Sequence, residues 1–388
     1  MVRNCFGMLL LLCVALCGCR KAKQSSWEKA SDLWSDGSSF DEMEFISDSI
    51  RYAMGFSVAD RDGFVEVEVR DPWNEGRVLQ RYLLVPRNGP LPEGGLPDGT
   101  VVRVPLRNMV VYTSVHSAAI DALGAADYIV GVCEPRYIKV DAVKKRLDEG
   151  LTKDLGAATS PNIERMIEAG AEVVIASPFD HGGYGAVEKL GIPIIECADY
   201  METSPLGRAE WIKFLGLFTQ ECRRADSLFS ETEANYLGTQ ALVRNVTARP
   251  RLMTGKKYGS PWYVPSGDSF MAQIYRDAGA DYVFDYLPGT GSVPLSFETV
   301  FSKAVDADIW LINYNKEGNM TYDDLKSDYS PYSGFSSFRN RRVFGNNTNY
   351  SLFYEEIPMN PDYLLTELIA IFHPELLPSY KLRYFHGL

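Results

Sequence analysis

The feature that most limits what this chain can fold into is a helix-to-strand unit that occurs twice. The first copy is PNIERMIEAGAEVVIA at residues 161–176, and the second is LSFETVFSKAVDADIWLI at residues 295–312. In each copy a short polar residue suited to an N-cap, Asn162 or Ser296, stands two places before a glutamate. An amphipathic helical pattern and a short apolar run typical of a buried strand then follow. The pattern therefore predicts α/β structure in two separate parts of the chain.

The same alternation of strand and helix extends through two longer stretches. Short apolar strands that alternate with helices favour parallel sheets with right-handed crossovers. A charged, helix-patterned stretch at residues 208–247 separates the two. We therefore predict two Rossmann-like α/β lobes, a first lobe at residues 109–207 and a second lobe at residues 248–388. A helical connector at residues 208–247 joins them; two helices fit this stretch, and the second would be the long connector helix.

The region before the first lobe has a different pattern. FVEVEV at residues 64–69 and TVVRVPL at residues 100–106 alternate between apolar and other side chains, as half-buried strands do. A turn-rich segment, RNGPLPEGGLPDG, precedes the second of these runs. We predict a small antiparallel β appendage over residues 40–108.

The N-terminus has the pattern of an export signal. Arg3 precedes a short apolar run at residues 8–16, which is too short to span a bilayer, and Gly18 and Cys19 follow. LCGC at residues 16–19 resembles the bacterial lipobox, although Cys17 stands where Ala, Ser or Thr is usual, so a plain secretory signal with a different cut stays open. We predict a signal peptide at residues 1–18, lipidation of Cys19, and a polar tether at residues 19–39 that joins the protein to the membrane through lipid alone.

Composition and motifs exclude several classes of function. The formal net charge is −12, and no local basic face is visible, which argues against binding of nucleic acid through phosphate contacts. Cys133, Cys197 and Cys222, which remain besides Cys19 after removal of the signal, have no CxxC spacing, so we expect buried thiols rather than a metal site or a disulfide framework. No metalloprotease, phosphate-loop, dinucleotide or nucleophile-elbow motif occurs, so we expect no enzyme activity.

From residue 109 to about residue 377 the chain resembles the class III periplasmic substrate-binding proteins of ABC importers for cobalamin, ferric siderophores and haem. The two helix-to-strand units carry the resemblance, together with GSPWYVPSGDSF at residues 259–270 and NPDYLLTELIAIFHPELLP at residues 360–378. The resemblance implies a monomer in the periplasm that holds its ligand in a cleft between two lobes. It also implies an ABC permease dimer with its ATPase as partner, no bound cofactor and no chemistry. In that family one glutamate on each lobe pairs with permease arginines, and the matching positions are Glu164 and Glu298.

The ligand site is predicted from the loops that follow the strands. Ligands of parallel sheets lie beyond the carboxyl ends of the strands, and bulky chelates need apolar walls with a few polar anchors. Aromatic side chains are concentrated in these loops, and Arg136 would counter an anionic chelate. The predicted ligand-binding residues are His116, Arg136, Tyr137, Phe179, His181, Tyr184, Trp262, Tyr263, Asn315 and Tyr350.

We expect the ligand to be a metal chelate: a ferric siderophore, haem or cobalamin. Lobe motion should be small, because a connector helix resists wide closure. Two alternatives stay open. One is a chelatase-like enzyme that uses His116 or His181 as a base or metal ligand, and the other is capture of bare zinc or manganese, for which only these two histidines are well placed.

Overall fold

The computed structural model describes residues 50–388. The predictions for the signal peptide at residues 1–18, for Cys19, for the tether at residues 19–39 and for residues 40–49 lie outside the described residues.

Four strands form the N-terminal sheet, in the order β1-β2-β3-β4. They are β1 (Phe56–Arg61), β2 (Phe64–Arg70), β3 (Val78–Pro86) and β4 (Thr100–Val104). The first three pair antiparallel, but β4 runs parallel to β3. The predicted antiparallel appendage is therefore wrong at its last strand. The long turn-rich segment between β3 and β4 lets the chain cross back before it pairs, as parallel neighbours require.

This sheet shares a hydrophobic core with the first lobe. Tyr82 on β3 is fully buried, and its ring packs edge-on against Phe218 at 5.5 Å between centroids. Val67 and Leu84 belong to the same core cluster as Ile120 of the first lobe. The sheet is thus built into the first lobe through their common core.

The first lobe is a five-stranded parallel sheet in the order β7-β6-β5-β8-β9. Its strands are β5 (Met109–Val111), β6 (Ile129–Val132), β7 (Lys153–Asp154), β8 (Val173–Ala176) and β9 (Ile194–Glu196), and its helices are α1 (Ser114–Ala122), α2 (Asp141–Asp148) and α3 (Ile163–Glu168). Asn162 caps α3, because its side chain accepts a hydrogen bond from the backbone N–H of Arg165 at 2.9 Å. The first helix-to-strand unit therefore folds as the sequence predicts.

Two helices, α4 (Pro205–Thr219) and α5 (Cys222–Gln240), form the connector. Ser204 caps α4, and Gln220 ends it in the left-handed conformation with a φ of 59°. Nearly every side chain of α4 is buried, whereas α5 buries one face. The connector is therefore part of the core rather than an exposed bridge.

The second lobe is a five-stranded sheet in the order β12-β10-β14-β15-β16, parallel except for β16, with a separate antiparallel ladder of β11 and β13. Its strands are β10 (Arg251–Thr254), β11 (Trp262–Pro265), β12 (Asp281–Tyr282), β13 (Ser292–Leu295), β14 (Ile309–Tyr314), β15 (Val343–Asn347) and β16 (Phe385–Gly387). Its helices are α6 (Phe270–Asp277), α7 (Phe297–Ala304), α8 (Tyr322–Asp328), α9 (Ser336–Arg339), α10 (Phe353–Glu356) and α11 (Pro361–Phe372). Ser296 caps α7 by accepting from the N–H of Thr299 at 3.2 Å, as predicted for the second unit.

Two buried carboxylates on the connector side hold the start of the described chain. Glu210 on α4 accepts hydrogen bonds from the backbone N–H groups of residues 51–53 at 2.7–3.0 Å. Glu202 accepts from residues 54 and 55 at 2.8–3.1 Å. Buried polar groups need such partners, and here the carboxylates satisfy backbone donors that lie outside the sheet ladder. The segment before β1 is thereby fixed against α4.

Candidate ligand-binding cleft

A cavity with a volume of about 980 Å³ lies at the carboxyl ends of strands in the second lobe. The residues that follow β10, β14 and β15 line it, together with Val115 of α1 and Arg208 of α4. A smaller cavity of about 330 Å³ lies on the first lobe, and its lining includes His116, Phe179 and Asp199. Val115 and Arg208 line both cavities. The two therefore meet there and form one cleft between the lobes.

A buried chain of polar side chains occupies the place where the two cavities meet. One oxygen of the Asp199 carboxylate lies 3.1 Å from Nε2 of His116, and the other accepts a hydrogen bond from Nε of Arg208 at 3.0 Å. Burial by itself would raise the pKa of Asp199, but the charge of Arg208 and the hydrogen bond with His116 outweigh it, and the pKa is lowered. Asp199 is thus held in its charged form.

Local structure explains why these three residues meet. Thr113 caps α1 through the N–H of His116, which puts His116 in the first turn of α1, directly after β5. Asp199 lies in the turn that follows β9, and Arg208 lies near the start of α4. The guanidinium of Arg208 stacks over the ring of Phe270 at 4.7 Å, so it contacts the second lobe while it pairs with the first.

Aromatic side chains form much of the wall on the second lobe. Tyr263 is 47% exposed and lines the large cavity, as do Tyr275, Tyr314 and Phe353, which are mostly buried. The hydroxyl of Tyr314 accepts the N–H of Met320 at 2.9 Å, which fixes its ring. Fixed aromatic walls suit a bulky, partly flat ligand.

The charged side chains of the large cavity are mostly basic. The cations are Arg208, Lys256, Lys257 and Lys316, and the carboxylates are Asp324 and Asp328. Lys256 pairs with Asp328 at 2.8 Å and Lys316 pairs with Asp324 at 3.1 Å. Lys257 instead lies over the ring of Tyr329 at 4.1 Å. The cleft is therefore more basic than a chain with a net charge of −12 would suggest.

Four of the predicted ligand residues lie in this cleft. Tyr263 and Asn315 line the large cavity, and His116 and Phe179 line the small one. His116 is almost completely buried, and its Nδ1 has no hydrogen-bond partner among residues 50–388. Contact of these four side chains with a ligand stays a prediction.

The structure contradicts the prediction for Trp262. Its side chain is fully buried, its Nε1 donates to the carbonyl of Thr254 at 2.9 Å, and its ring stacks on Trp310 at 5.6 Å. Side chains alternate along a strand, so Tyr263 faces the cleft and Trp262 faces the core. The sequence shows the alternation but not which member of the pair faces inward.

Five other predicted residues are not among the side chains that line either cavity. They are Arg136, Tyr137, His181, Tyr184 and Tyr350. Arg136 lies over the ring of Tyr137 at 4.6 Å, and the side chain of His181 is 91% exposed beside Asp180. The hydroxyl of Tyr184 donates to Glu196 at 2.9 Å, and that of Tyr350 accepts the N–H of Gly318 at 3.2 Å. Each follows a strand, as predicted, but its side chain is either exposed or engaged elsewhere.

Sequence reasoning missed Arg208 and Asp199. Arg208 belongs to the stretch that was assigned to the connector, and Asp199 follows the last strand of the first lobe. One local signal was present. A cation close to the start of a helix is disfavoured by the macrodipole, so Arg208 near the start of α4 needs a tertiary reason.

The two glutamates predicted for permease docking are both exposed in the first turns of their helices, Glu164 in α3 and Glu298 in α7. The pKa of Glu298 is lowered because its carboxylate accepts hydrogen bonds from its own backbone N–H and from the side chain of Ser296. Exposed, charged carboxylates are what docking requires, and docking itself stays a prediction.

Three features of residues 50–388 bear on the kind of site that this part of the chain can form. Within that part of the chain, no group of three or more His, Cys, Asp or Glu side chains is arranged to hold a metal ion. Nor is any helix there long and apolar enough to cross a membrane. Cys133, Cys197 and Cys222 are buried and form no disulfide, as expected, and burial raises the pKa of Cys133 to about 12.

A family model and two relatives each match more than half of this chain. A family model described as periplasmic binding protein matches residues 109–348. An uncharacterized lipoprotein of Methanocaldococcus jannaschii is 29% identical over 323 residues, which cover 79% of this chain and 75% of that protein. A second uncharacterized lipoprotein of the same organism is 24% identical over 322 residues, which cover 78% of this chain and 80% of that protein.

Solved structures share the fold. The periplasmic haem-binding protein RhuT from Roseiflexus, in apo form, superposes with a TM-score of 0.56 at 18% identity and covers 70% of this chain and 99% of its own. CeuE of Helicobacter pylori with Ni(II) bound has a TM-score of 0.56 at 15% identity, over 72% of this chain and 88% of its own. At these identities the likeness concerns the fold alone.

Proposed function

This chain belongs to the periplasmic binding protein family, and we propose that it captures a metal chelate in its interlobe cleft and delivers the chelate to an ABC permease. It is a solute-binding protein and not an enzyme. The observation that carries the proposal is the cleft of about 980 Å³ with aromatic walls at the strand ends. Its volume is at the upper end of the range of about 300–1,000 Å³ for small-molecule sites.

The class of ligand follows from chemistry and from the relatives together. Solved proteins of the same fold include haem-binding proteins and a component of an Fe³⁺-hydroxamate transport system. The exposed face of Tyr263 and the fixed ring of Tyr314 offer flat apolar contact, and the basic side chains offer donors for ligand oxygens. We therefore propose a ferric siderophore, haem or cobalamin as the ligand.

A direct titration tests ligand binding. The chain with Cys19→Ser, which leaves every described residue unchanged, is titrated with haem, a ferric tricatecholate, a ferric trihydroxamate, cyanocobalamin, cobinamide and Zn²⁺. Saturable one-to-one binding of a chelate, weakened by Tyr263→Ala, supports the proposal. A response to Zn²⁺ alone would instead favour the bare-metal alternative, and silence toward every chelate would refute the proposed ligand class.

Docking on the permease is proposed to use Glu164 and Glu298, one on each lobe. Charge complementarity at exposed positions mainly sets the orientation and rate of association. The double variant Glu164→Ala, Glu298→Ala should bind ligand like the unchanged protein but lose uptake of the radiolabelled chelate by the native host. Glu168→Ala, which removes an exposed carboxylate from the same helix as Glu164, is the matched control. Equal uptake by the double variant and the control would rule out this docking mode.

The proposed location is the periplasm, with attachment to the membrane through lipid on Cys19. Lipoproteins among the relatives support this. Metabolic labelling with a fatty acid in the native host should mark the full chain and not the Cys19→Ser variant. Absence of label from both would leave a plain secretory signal as the explanation of the N-terminus, and equal positive labelling would show that Cys19 is not the lipidated residue.

A further inference from the structure

Arg208 is the charged side chain common to both parts of the cleft. Its Nε donates to Asp199 at 3.0 Å, and its side chain is only 13% exposed. A guanidinium carries five N–H donors, and Nε has one of them. Among residues 50–388, Asp199 accepts the hydrogen bond from Nε of Arg208, and no residue accepts one from the two terminal nitrogens of Arg208. The remaining donors are therefore available at the surface of the cleft.

The position of Arg208 is fixed before any ligand arrives. Asp199 is 2% exposed and also contacts His116, so the carboxylate that orients Arg208 is itself held on its other side. Phe270 supports the flat face of the guanidinium at 4.7 Å. A planar, preoriented fork of donors matches the two oxygens of a carboxylate or of a catecholate.

A ligand that fills the cleft removes the water from these donors. Buried donors without acceptors are costly, so a ligand that places a neutral apolar edge against Arg208 is penalised. A ligand that places anionic oxygens there is favoured, because charge-assisted hydrogen bonds are about twice as strong as neutral ones. The same side chain therefore attracts one class of ligand and rejects the other.

Lys257 gives a second, independent indication. It lines the large cavity, its ammonium lies over the ring of Tyr329 at 4.1 Å, and it forms no salt bridge with a carboxylate among the described residues. Lys256 and Lys316, by contrast, pair with Asp328 and Asp324. The second lobe thus offers another cationic donor to a ligand that contacts both sides of the cleft.

We propose that Arg208 is the residue that determines specificity in the cleft, and that the ligand is a chelate with anionic oxygens on its periphery. The inference rests on the proposed function and narrows it: haem with its propionates and ferric catecholates or carboxylates fit, whereas neutral hydroxamates and amide-rimmed corrinoids do not. The shared chemistry is an anionic oxygen pair that meets the guanidinium of Arg208.

The test compares anionic and neutral probes on matched variants. The Cys19→Ser chain is titrated with haem, a ferric tricatecholate, ferric citrate, a neutral ferric trihydroxamate and cyanocobalamin. Arg208→Gln should weaken binding of the preferred anionic probe by about 10- to 100-fold, the range expected for losing hydrogen bonds to a charged group. Arg249→Gln, which removes an exposed arginine that lines neither cavity, should leave the same affinity unchanged. The preference among haem, catecholate and citrate identifies the source of the oxygens.

Two further measurements separate specificity from folding. Arg208→Lys keeps a charge beside Asp199 but lacks the planar fork, so it should fold and give an intermediate loss for anionic probes. In the unchanged protein, added salt should weaken binding of anionic probes more than binding of neutral ones. Neutral chelates bound as tightly as anionic ones, or an equal loss for both classes in the two Arg208 variants, would overturn the inference and leave the proposed function standing. Failure of every probe to bind the unchanged protein would overturn both.

Discussion

Replacing Trp262 by alanine should destabilise the second lobe rather than remove a ligand contact. The indole is fully buried, stacks on Trp310 and contacts the ring of Tyr332 edge-on at 5.6 Å. Truncation of a buried Trp to Ala costs about 3–5 kcal/mol, and it also removes the donor that satisfies the carbonyl of Thr254. That loss is a large part of a typical total stability of about 5–15 kcal/mol.

The matched control is the next residue. Tyr263 lies on the same strand but faces the cleft and is 47% exposed. Tyr263→Ala should change the free energy of unfolding by less than about 1 kcal/mol, as exposed substitutions usually do. It should weaken chelate binding by about fivefold or more, because an aromatic contact contributes about 1 kcal/mol beyond its buried area.

Urea unfolding followed by circular dichroism measures the stability of both variants, and titration with the chelate that binds measures affinity. We expect Trp262→Ala to lower the free energy of unfolding and Tyr263→Ala to lower the affinity for the chelate. A Trp262→Ala protein with unchanged unfolding and a lost ligand response would refute this argument, because it would place the indole in the cleft.

Three further outcomes are expected. Burial raises the pKa of Asp362 to about 6, so the folded protein favours the protonated, neutral carboxyl. The stability that this preference contributes is fully present below about pH 4 and is lost as the pH rises through 6. After allowance for solvent screening, Asp362→Asn should therefore raise the free energy of unfolding at pH 8 by about 1–2 kcal/mol and leave it unchanged at pH 3, as urea titrations at both pH values will show. Glu210→Gln should lower the free energy of unfolding by about 3 kcal/mol, because it leaves buried charge and backbone donors poorly matched. Hydrogen exchange of the backbone N–H of Ala53 should become faster, and unchanged exchange there would contradict the role of Glu210. Lys139 of the first lobe donates to the carbonyls of Thr348 and Ser351 in the second lobe. Lys139→Met should therefore speed hydrogen exchange in residues 348–352 without changing exchange in the N-terminal sheet. Equal exchange in the variant and the unchanged protein would show that this contact does not hold the lobes together.

Local patterns were sufficient for the elements and for the class of fold. Asn162 and Ser296 cap their helices as predicted, and a buried strand follows each helix. These features depend on periodicity and on side chains that bond to their own backbone within a few residues. The sequence contains that information in full, which is why both helix-to-strand units were predictable.

The direction of β4 and the orientation of Trp262 were not predictable in this way. A strand has the same alternating pattern whether it pairs parallel or antiparallel, and the crossing of the preceding loop decides between them. In the same manner, a strand buried on one face shows which side chains alternate, but packing against Trp310 decides that Trp262 is inside.

The sequence by itself therefore determined two α/β lobes, a helical connector and the loops among which a ligand site must lie. The tertiary structure decided the chemistry of the cleft, because it brings His116, Asp199 and Arg208 together from a helix start, a strand end and the connector. The physical reason is the range of the forces involved. Periodicity and capping act over one or two turns of chain, whereas a buried ion pair depends on long-range packing that places two distant segments within hydrogen-bond distance in a water-poor interior.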